Sequence, residues 1–340
     1  MKLLTHEFEL PLRHAFTISR ESTTVQPTLI VELSDGEHQG YGEATTNAYY
    51  GMTLENMQRA IEQVRPVVES LDQLEPESLW AEVAPQLLDC PFALCALDEA
   101  AYDLWGKQQV EPVYRLWGLD DSQMPLSNFT IGIDTIEVMV EKLKEVPDWP
   151  IYKIKLGTKH DIDIISELRK HTDAVFRVDA NCGWSADETI ANAPELKSLG
   201  VEFIEQPLPA DDREGSLRVY QESVLPIVAD ESCITETDVK DCQGRFHGVN
   251  VKLVKCGGLT PARRMIREAH ELGMKAMVGC MTESSVGISA IGQLLPLLDY
   301  VDMDGACLLA KDIATGVVVD RGKCQFPDVN GNGVRLLDKQ

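Results

Sequence analysis

The sequence predicts an α/β protein in which an α+β domain precedes a (β/α)8-type, TIM-like barrel. Beyond residue 125, eight short β-rich runs alternate with helical stretches, at about one run every 25 residues. This alternation is typical of a barrel of parallel strands surrounded by helices. The first 120 residues lack it and combine a hairpin-like segment with helical stretches. At 340 residues, the chain is long enough for both parts.

The predicted barrel strands are short runs rich in apolar and β-branched residues. In chain order they are LSNFTIGI (126–133), IYKIKLG (151–157), VFRVDAN (175–181), VEFIEQP (201–207), LPIVADES (225–232), GVNVKLVKCGG (248–258), KAMVGCMTE (275–283) and LDYVDMDG (298–305). Two helix starts are recognisable between them. Ser185 to Glu188 fit a capping box, and Thr260 followed by Pro261 fits an N-cap with proline at the first helical position.

The first part of the chain predicts a small α+β domain. The segment PTLIVELSDGEHQGYGEAT (27–45) favours a hairpin or meander with turns at Asp35–Gly36 and at Gly40, and helices are expected from about 53 to 117. After residue 312, GVVVDRGKCQF predicts a further hairpin that returns to the first domain. We therefore expect an α+β domain at 1–120, a barrel domain with the active site at 121–312, and a C-terminal tail at 313–340.

Composition and charge exclude several classes of protein. No apolar run approaches the roughly 20 residues that span a bilayer, and Glu7, Glu9 and Arg13 interrupt the N-terminal segment, so a cytoplasmic protein is expected. Nine cysteines without a CxxC pair indicate reduced thiols rather than a disulfide framework or a zinc site. The net charge of −24 argues against nucleic acid as a partner, because phosphate binding needs a basic surface.

Two lysines in YKIKLG (152–157) share one face of a predicted strand. Lys153 and Lys155 point the same way because side chains two apart lie on the same side of a strand. One interpretation is an exposed edge strand, where lysines discourage aggregation. The other interpretation is a role in an active site. Ionisable residues recur at the ends of five consecutive strands, at spacings of 24, 26, 25 and 22: Lys155, Asp179, Glu205, Asp230 and Lys252. Since the carboxyl ends of barrel strands form the active site, the second interpretation is favoured.

The acids in this series predict a metal site. Three converging carboxylates would repel one another unless a cation compensates them. A set of oxygen ligands favours Mg²⁺ over Zn²⁺. We therefore expect Asp179, Glu205 and Asp230 to bind Mg²⁺, with open positions for a substrate carboxylate.

The lysines would then lie on opposite sides of the ion and act as bases. A lysine is a base only when it is deprotonated, which a neighbouring cation promotes. Lys153 would supply that cation beside Lys155 and could also contact an anionic substrate. In VNVKLVKCGG (249–258), strand alternation places Lys252 on the same face as Asn250 and Lys255 on the opposite face. We therefore choose Lys252 as the second base and interpret Lys255 as structural.

These residues lie in motifs that resemble the enolase superfamily, within it the muconate-lactonising subgroup. The motifs are KIK (153–155), DAN (179–181), EQP (205–207), ADES (229–232) and KLVKCGG (252–258), and CALDEAAYDLWGKQQVEPVYRLWG (95–118) resembles the end of the subgroup's capping domain. The resemblance implies a modified barrel under an N-terminal capping domain that the C-terminal tail completes. It also implies abstraction of a proton α to a carboxylate, with one Mg²⁺ per subunit stabilising the ene-diolate.

The segment VDMDG (301–305) distinguishes among the activities of the subgroup. Asp302 and Asp304 resemble the pair with which dipeptide epimerases hold a substrate's α-ammonium, and the sequence is most similar to the L-Ala-D/L-Glu type. An N-acylated substrate has no ammonium and would leave two buried carboxylates unpaired. The alternatives are an N-acylamino acid racemase, an o-succinylbenzoate synthase and, from another class, a non-catalytic Mg²⁺-dependent carboxylate binder. The expected partner is a small dipeptide, and a homo-oligomer is left open.

Substrate specificity is expected from the loops of the first domain. Arg20 in HAFTISRESTT (14–24) is placed where glutamate-specific members carry an arginine toward the distal carboxylate. Tyr49 and Tyr50 are candidate walls of the pocket. Thr130 and Cys280 match positions that line the dipeptide site, and Cys280 is not expected to be a nucleophile.

Overall fold

The chain begins with a three-stranded antiparallel sheet in the computed structural model, which describes residues 1–19 and 21–337. Its strands pair in the order β1 (Lys2–Thr17), β2 (Ser22–Ser34) and β3 (Gln39–Thr45). The helices that follow are α1 (Leu54–Glu69), α2 (Pro76–Val83), α3 (Pro91–Gln109) and α4 (Val113–Leu116). The predicted meander and the helical stretch after it are confirmed.

One of the two turn predictions is correct. Asp35 Oδ1 accepts hydrogen bonds from the amides of Glu37 and His38, at 2.8 and 2.7 Å, and closes the turn between β2 and β3. The turn predicted at Gly40 is wrong, because Gly40 lies within β3. A Cβ atom there would lie 2.3 Å from the carbonyl oxygen of Ala100, so this glycine lets α3 pack directly on the sheet.

A ring of eight parallel strands forms the second part of the fold. They pair in chain order: β4 (Phe129–Ile131), β5 (Ile151–Lys155), β6 (Val175–Asp179), β7 (Val201–Glu205), β8 (Ile227–Ala229), β9 (Gly248–Val251), β10 (Lys275–Gly279) and β11 (Tyr300–Asp302). A parallel bridge between Ser127 and Val301 joins the last strand to the first. The predicted barrel is therefore confirmed.

Helices surround this ring. They are α5 (Ile136–Glu145), α6 (Asp161–Arg169), α7 (Ala186–Ser198), α8 (Arg213–Glu222), α9 (Glu236–Cys242), α10 (Leu253–Cys256), α11 (Leu259–Glu271) and α12 (Ser285–Gly292). The capping box of Ser185 and Glu188 is present. The predicted start at Thr260 is wrong, because α11 begins at Leu259 and its N-cap is Gly258. Thr260 instead binds Asp98 of α3 through its amide and hydroxyl, at 2.8 and 2.9 Å.

Buried contacts join the N-terminal part to the barrel. Trp80 Nε1 donates to the carbonyl of Gly257 at 2.8 Å, and a Cβ atom at Gly258 would lie 2.4 Å from Asp98 Oδ2. Glu43 of β3 accepts hydrogen bonds from the amides of Ser284 and Gly287, at 3.1 and 3.0 Å, at the N-terminus of α12. The two glycines of KLVKCGG thus allow α3 to pack against the turn that follows β9.

The C-terminal segment adds four short strands, β12 (Ala314–Thr315), β13 (Val318–Asp320), β14 (Lys323–Gln325) and β15 (Arg335–Leu336). Strands β13 and β14 form a hairpin, as predicted. The carbonyl of Gly331 accepts from the amide of Val113 at 3.0 Å, and Asp103 of α3 accepts from the amide of Asn332 at 2.8 Å. The domain boundaries stay a prediction.

Two further observations bear on the sequence-based expectations. Within residues 1–19 and 21–337, every helix is too short or too polar to cross a lipid bilayer. All nine cysteines are free thiols, as their spacing predicted.

Candidate active site

A cavity of about 260 Å³ lies between the carboxyl ends of the barrel strands and the N-terminal sheet. The predicted residues that line it are Lys155, Asp230, Lys252, Thr130, Cys280, Asp302, Asp304, Tyr49 and Tyr50. Phe16 of β1 also lines it, as do Ile18 and Glu21, which lie between β1 and β2. Arg20 lies outside the described residues, so its prediction stays a proposal.

The order of the strands fixes which charged groups face each other. Lys155 ends β5 and Lys252 directly follows β9, four strands apart in a ring of eight. The two lysines therefore stand on opposite sides of the barrel. Between them, β6, β7 and β8 carry the three acids, and the remaining strands β10, β11 and β4 carry Cys280, the aspartate pair and Thr130.

The three acids converge beneath the cavity. Asp179, Glu205 and Asp230 are almost completely buried, and each offers a carboxylate oxygen within 4.8 Å of the other two. Glu205 Oε2 is buried and accepts no hydrogen bond, although the ammonium of Lys153 lies 2.8 Å away. A buried set of carboxylate oxygens with one under-used acceptor fits a hard divalent cation such as Mg²⁺.

Neighbouring lysines determine which of these acids stays ionised. Burial raises the pKa of Glu205 to about 7, Lys153 opposes this, and the charge of Asp179 adds to it. Burial would also raise the pKa of Asp179, but Lys155 and Lys153 hold it below its usual range. Lys252 and Lys255 overcome burial at Asp230 and hold its pKa well below the usual range.

Lys153 lies among carboxylates. Strand β5 pairs with β4 and β6 on its two sides, so the interpretation of an exposed edge strand is wrong. The ammonium of Lys153 lies 3.2 Å from Asp179, 2.8 Å from Glu205 and 2.7 Å from Asp302. Burial opposes its charge, but these three acids raise the pKa of Lys153 well above its usual range. Lys153 therefore links the metal-site acids to the aspartate pair, and its predicted substrate contact stays a prediction.

Lys155 and Lys252 each pair with one acid at the cavity floor. Lys155 Nζ donates to Asp179 Oδ2 at 2.7 Å, and Lys252 Nζ donates to Asp230 Oδ2 at 2.8 Å. Burial opposes the charge of Lys252, but Asp230 raises its pKa above the usual range. The parity argument against Lys255 does not apply, because β9 ends at Val251 and Lys255 lies in the helical turn α10. Lys255 is absent from the cavity lining and is fully buried, as expected of a structural residue.

The aspartate pair is joined through Thr130. Thr130 Oγ1 lies 3.4 Å from Asp302 Oδ1 and 3.2 Å from Asp304 Oδ1, and its amide donates to Asp304 Oδ2 at 2.5 Å. Lys153 holds the pKa of Asp302 below its usual range against the effect of burial. Burial, helped by the charge of Asp302, raises the pKa of Asp304 to about 8. One member of the pair is therefore ionised at neutral pH and the other is largely protonated.

Sequence reasoning missed two buried asparagines that hold these acids. Asn128 Nδ2 donates to Asp302 Oδ1, and Asn250 Nδ2 donates to Glu205 Oε1, at 2.7 and 2.8 Å. Asn128 lies two residues before Thr130, and Asn250 lies two residues before Lys252, both of which are predicted site residues. The same alternation that selected those residues could have found them.

The thiol of Cys280 faces the cavity in its neutral form. Burial, followed by the charges of Asp302 and Asp304, raises its pKa well above the usual range. A neutral thiol is a weak nucleophile, which agrees with the prediction that Cys280 is not one.

We expect the titration of Asp304 to appear in ligand binding. The groups around it are Asp302, whose charge is constant near neutrality, and the thiols of Cys280 and Cys307, whose pKa values burial raises. An α-ammonium prefers the ionised carboxylate, so affinity for a non-reacting dipeptide such as L-Ala-2-aminoisobutyrate should rise about tenfold per pH unit toward pH 8. Above pH 8 the ligand's own amine loses its proton and affinity should fall. Calorimetric titration with excess Mg²⁺ between pH 5.5 and 9.5 measures this profile.

The control ligand is the N-acetylated form of the same dipeptide, which lacks the ammonium and should show no rise toward pH 8. An Asp304→Asn variant should lose the rise in affinity between pH 5.5 and 8. An identical rise for both ligands would assign the titration to another group.

Comparison with known families identifies the chain. Residues 2–118 match the N-terminal domain of the mandelate racemase / muconate lactonizing enzyme family, and residues 138–340 match the enolase C-terminal domain-like family. The barrel with its cap and charged floor is thus that of an enolase-superfamily enzyme. The chain belongs to the mandelate racemase / muconate lactonizing enzyme family, so the resemblance found in the sequence is confirmed.

Individual relatives narrow the class of enzyme. The L-Ala-D/L-amino acid epimerase of Flavobacterium johnsoniae is 57% identical over 337 residues, which cover 99% of this chain and 100% of the relative. The L-Ala-D/L-Glu epimerase of Bacteroides thetaiotaomicron is 39% identical over 339 residues, covering 99% of this chain and 88% of the relative. The structure of a dipeptide epimerase from Enterococcus faecalis, complexed with Mg and L-Leu-L-Tyr, has a TM-score of 0.92, 28% identity and 98% coverage of both chains. The predicted class, an isomerase acting on amino acid derivatives, is confirmed.

Proposed function

We propose that this protein is a Mg²⁺-dependent dipeptide epimerase that inverts the α-carbon of the C-terminal residue. The observation that carries the proposal is the arrangement of one cavity. Two lysines lie on opposite sides of it, three carboxylates converge beneath it, and an aspartate pair lies on another side. The first two features suit removal of a proton α to a carboxylate, and the third suits a ligand with a free ammonium.

Lys155 and Lys252 are the proposed acid–base pair. Inversion requires that hydrogen leave one face of the α-carbon and return to the other. With the lysines on opposite sides of the barrel, one removes the α-proton while the ammonium of the other delivers a proton from the far side. The reverse reaction exchanges their roles, so each lysine serves as base for one epimer.

Asp179, Glu205 and Asp230 are the proposed ligands of Mg²⁺. The chemistry that bound Mg²⁺ supplies is Lewis acidity, which offsets the negative charge that grows on the substrate carboxylate as the α-proton leaves. Lys153 contributes a fixed positive charge beside Asp179 and Glu205. Burial of the floor strengthens these charge interactions, because little water screens them.

Asp302 and Asp304 are the proposed ammonium site and define the substrate class. An α-ammonium between them would stabilise the ionised form of Asp304, which burial and the charge of Asp302 otherwise disfavour. An N-acylamino acid carries no such cation, and the pair would then cost free energy without compensation. The relatives named as L-Ala-D/L-amino acid epimerases support L-alanine as the first residue.

The direct test is a panel of dipeptides and N-acylamino acids incubated with Mg²⁺ in D₂O and followed by proton NMR. We expect loss of the α-proton signal of the C-terminal residue and appearance of the second epimer for L-Ala-L-Glu and similar dipeptides. N-acetyl-L-glutamate and N-succinyl amino acids should remain unchanged. Turnover of the acylated compounds alone would replace the proposal with an N-acylamino acid racemase.

Glutamate is the proposed C-terminal residue, and Arg20 is its proposed partner. A second carboxylate needs a local cation in a protein of net charge −24, and an arginine can bind it with two parallel hydrogen bonds. Loss of such a contact costs about 1.5–3 kcal/mol, or roughly one to two orders of magnitude in kcat/KM. Arg20→Met should therefore depress activity on L-Ala-L-Glu and spare dipeptides that end in an apolar residue. An unchanged order of substrates would move this role to Tyr49 and Tyr50, which line the cavity.

The setting of the reaction is also a proposal. Nine free thiols agree with a reducing compartment, and we propose the cytoplasm. Dipeptides of alanine and glutamate released from peptidoglycan are the proposed source of substrate.

A further inference from the structure

Each acid at the cavity floor has one oxygen that the protein already holds. Asp179 Oδ1 accepts from the amide of Asn181 at 2.9 Å, and Glu205 Oε1 accepts from Asn250 Nδ2 at 2.8 Å. Asp230 Oδ1 accepts from Lys255 Nζ at 2.6 Å. The second oxygens, Oδ2 of both aspartates and Oε2 of the glutamate, are those that face Lys153, Lys155 or Lys252. A cation at this site would take the second oxygen of each acid and displace the lysine ammonium that pairs with it here, while the first oxygen stays held.

Lys255 is the strongest of these three holders. It is fully buried, and its ammonium also donates to the carbonyls of Asp230, Cys233 and Asn250, at 2.6, 2.9 and 3.2 Å. An ammonium has only three N–H bonds, so four acceptors at these distances saturate it. Lys255 has no donor left for a substrate, and its charge fixes one edge of the Asp230 carboxylate.

We propose that Lys255 and Asn250 make the metal site selective for Mg²⁺ over Ca²⁺ by restricting Asp230 and Glu205 to one ligand oxygen each, as the amide of Asn181 does for Asp179. Mg²⁺ binds six oxygens in a compact octahedron, whereas Ca²⁺ prefers six to eight and often takes both oxygens of a carboxylate. Three single oxygens suit the first ion and leave the second under-coordinated. Lys255 is a positioning residue in this proposal, since it acts through Asp230. The inference rests on the proposed Mg²⁺ site.

Charge alone predicts a different result. A buried ammonium beside Asp230 weakens the binding of every divalent cation by the same electrostatic repulsion. Removal of this ammonium would then tighten the binding of Mg²⁺ and of Ca²⁺ by the same factor and leave the ratio of their dissociation constants unchanged. The ratio of the two dissociation constants therefore separates restriction of the ligand oxygens from simple repulsion.

The experiment titrates metal-free protein with MgCl₂ and with CaCl₂ in a calorimeter. In Lys255→Met, Asp230 can turn both oxygens to the ion, so the preference for Mg²⁺ over Ca²⁺ should fall, by at most roughly the 10- to 100-fold by which residues that orient metal ligands change metal affinity. Asn250→Leu should shift the ratio in the same direction without changing the net charge. The matched control is Lys107→Met. Lys107 also binds a buried aspartate, Asp103, and two carbonyls, those of Gln39 and Val334, and it does not line the cavity. It should keep the wild-type ratio.

Each outcome bears on the proposal. An unchanged ratio in Lys255→Met and Asn250→Leu overturns the inference and leaves the proposed Mg²⁺ site intact, provided that the wild type binds Mg²⁺. A wild type that binds neither ion overturns both. If Lys255→Met fails to fold by circular dichroism, the ratio in Asn250→Leu decides.

Discussion

Replacement of Lys252 by alanine is expected to lower the rate of epimerisation roughly 10²- to 10⁴-fold, the usual contribution of a positioned acid or base. The same variant should still exchange the α-hydrogen of one epimer with D₂O, because Lys155 remains on the other side of the barrel. The exchanged product should keep its configuration, since no group is left to deliver a proton to the far face. Proton NMR in D₂O with each pure epimer measures exchange and inversion separately.

The reciprocal variant completes this test. Lys155→Ala should exchange only the other epimer, again without inversion. Lys275→Ala is a suitable control, because Lys275 begins β10 at the opposite end of the barrel and pairs with Asp299 at 2.6 Å. It should retain wild-type rates. Equal residual inversion in Lys155→Ala and Lys252→Ala would contradict the two-base arrangement.

Replacement of Glu205 by glutamine is expected to abolish Mg²⁺ binding and turnover together. Glu205 lies on the central of the three acid-bearing strands, and its Oε2 is the one oxygen among the three proposed ligand oxygens that accepts no hydrogen bond. An amide there removes a charge and presents either a weaker oxygen ligand or an NH₂ group that cannot bind a cation. Calorimetry should show no Mg²⁺ binding below millimolar concentration, and wild-type protein treated with EDTA should be equally inactive. Full activity of wild-type protein after exhaustive chelation would disprove the metal assignment.

The barrel and its charged floor could be predicted from the sequence because both follow from regular spacing. Five consecutive strands, β5 to β9, each have one ionisable residue at or just after the carboxyl end, and a parallel barrel brings those ends to one level. The same reasoning failed where a strand ended early. Strand parity does not apply to Lys255, because it lies in a helical turn that two glycines follow, and these glycines let α3 pack close.

Other features depend on which atom a side chain presents. Nothing in the order of residues indicates that Asn250 holds one oxygen of Glu205, or that Thr130 bridges Asp302 and Asp304, because rotamers decide these contacts. Gly40 was read as a turn because glycine is common in turns, whereas the close approach of α3 is the reason for it. Long-range packing of this kind leaves no local signal.

The buried contacts between the N-terminal part and the barrel determine how a substrate can reach the cavity. Glu43 binds the N-terminus of α12, Asp98 binds Thr260, and Trp80 binds the carbonyl of Gly257. An intramolecular hydrogen bond contributes about 0.5–1.5 kcal/mol, so swinging the whole N-terminal domain away would sacrifice several such contributions at once. Access is therefore expected through the segments that end at the rim of the cavity, which carry Ile18, Glu21 and Tyr49. Substrate range can change through these few side chains while the proton-transfer machinery below stays as it is.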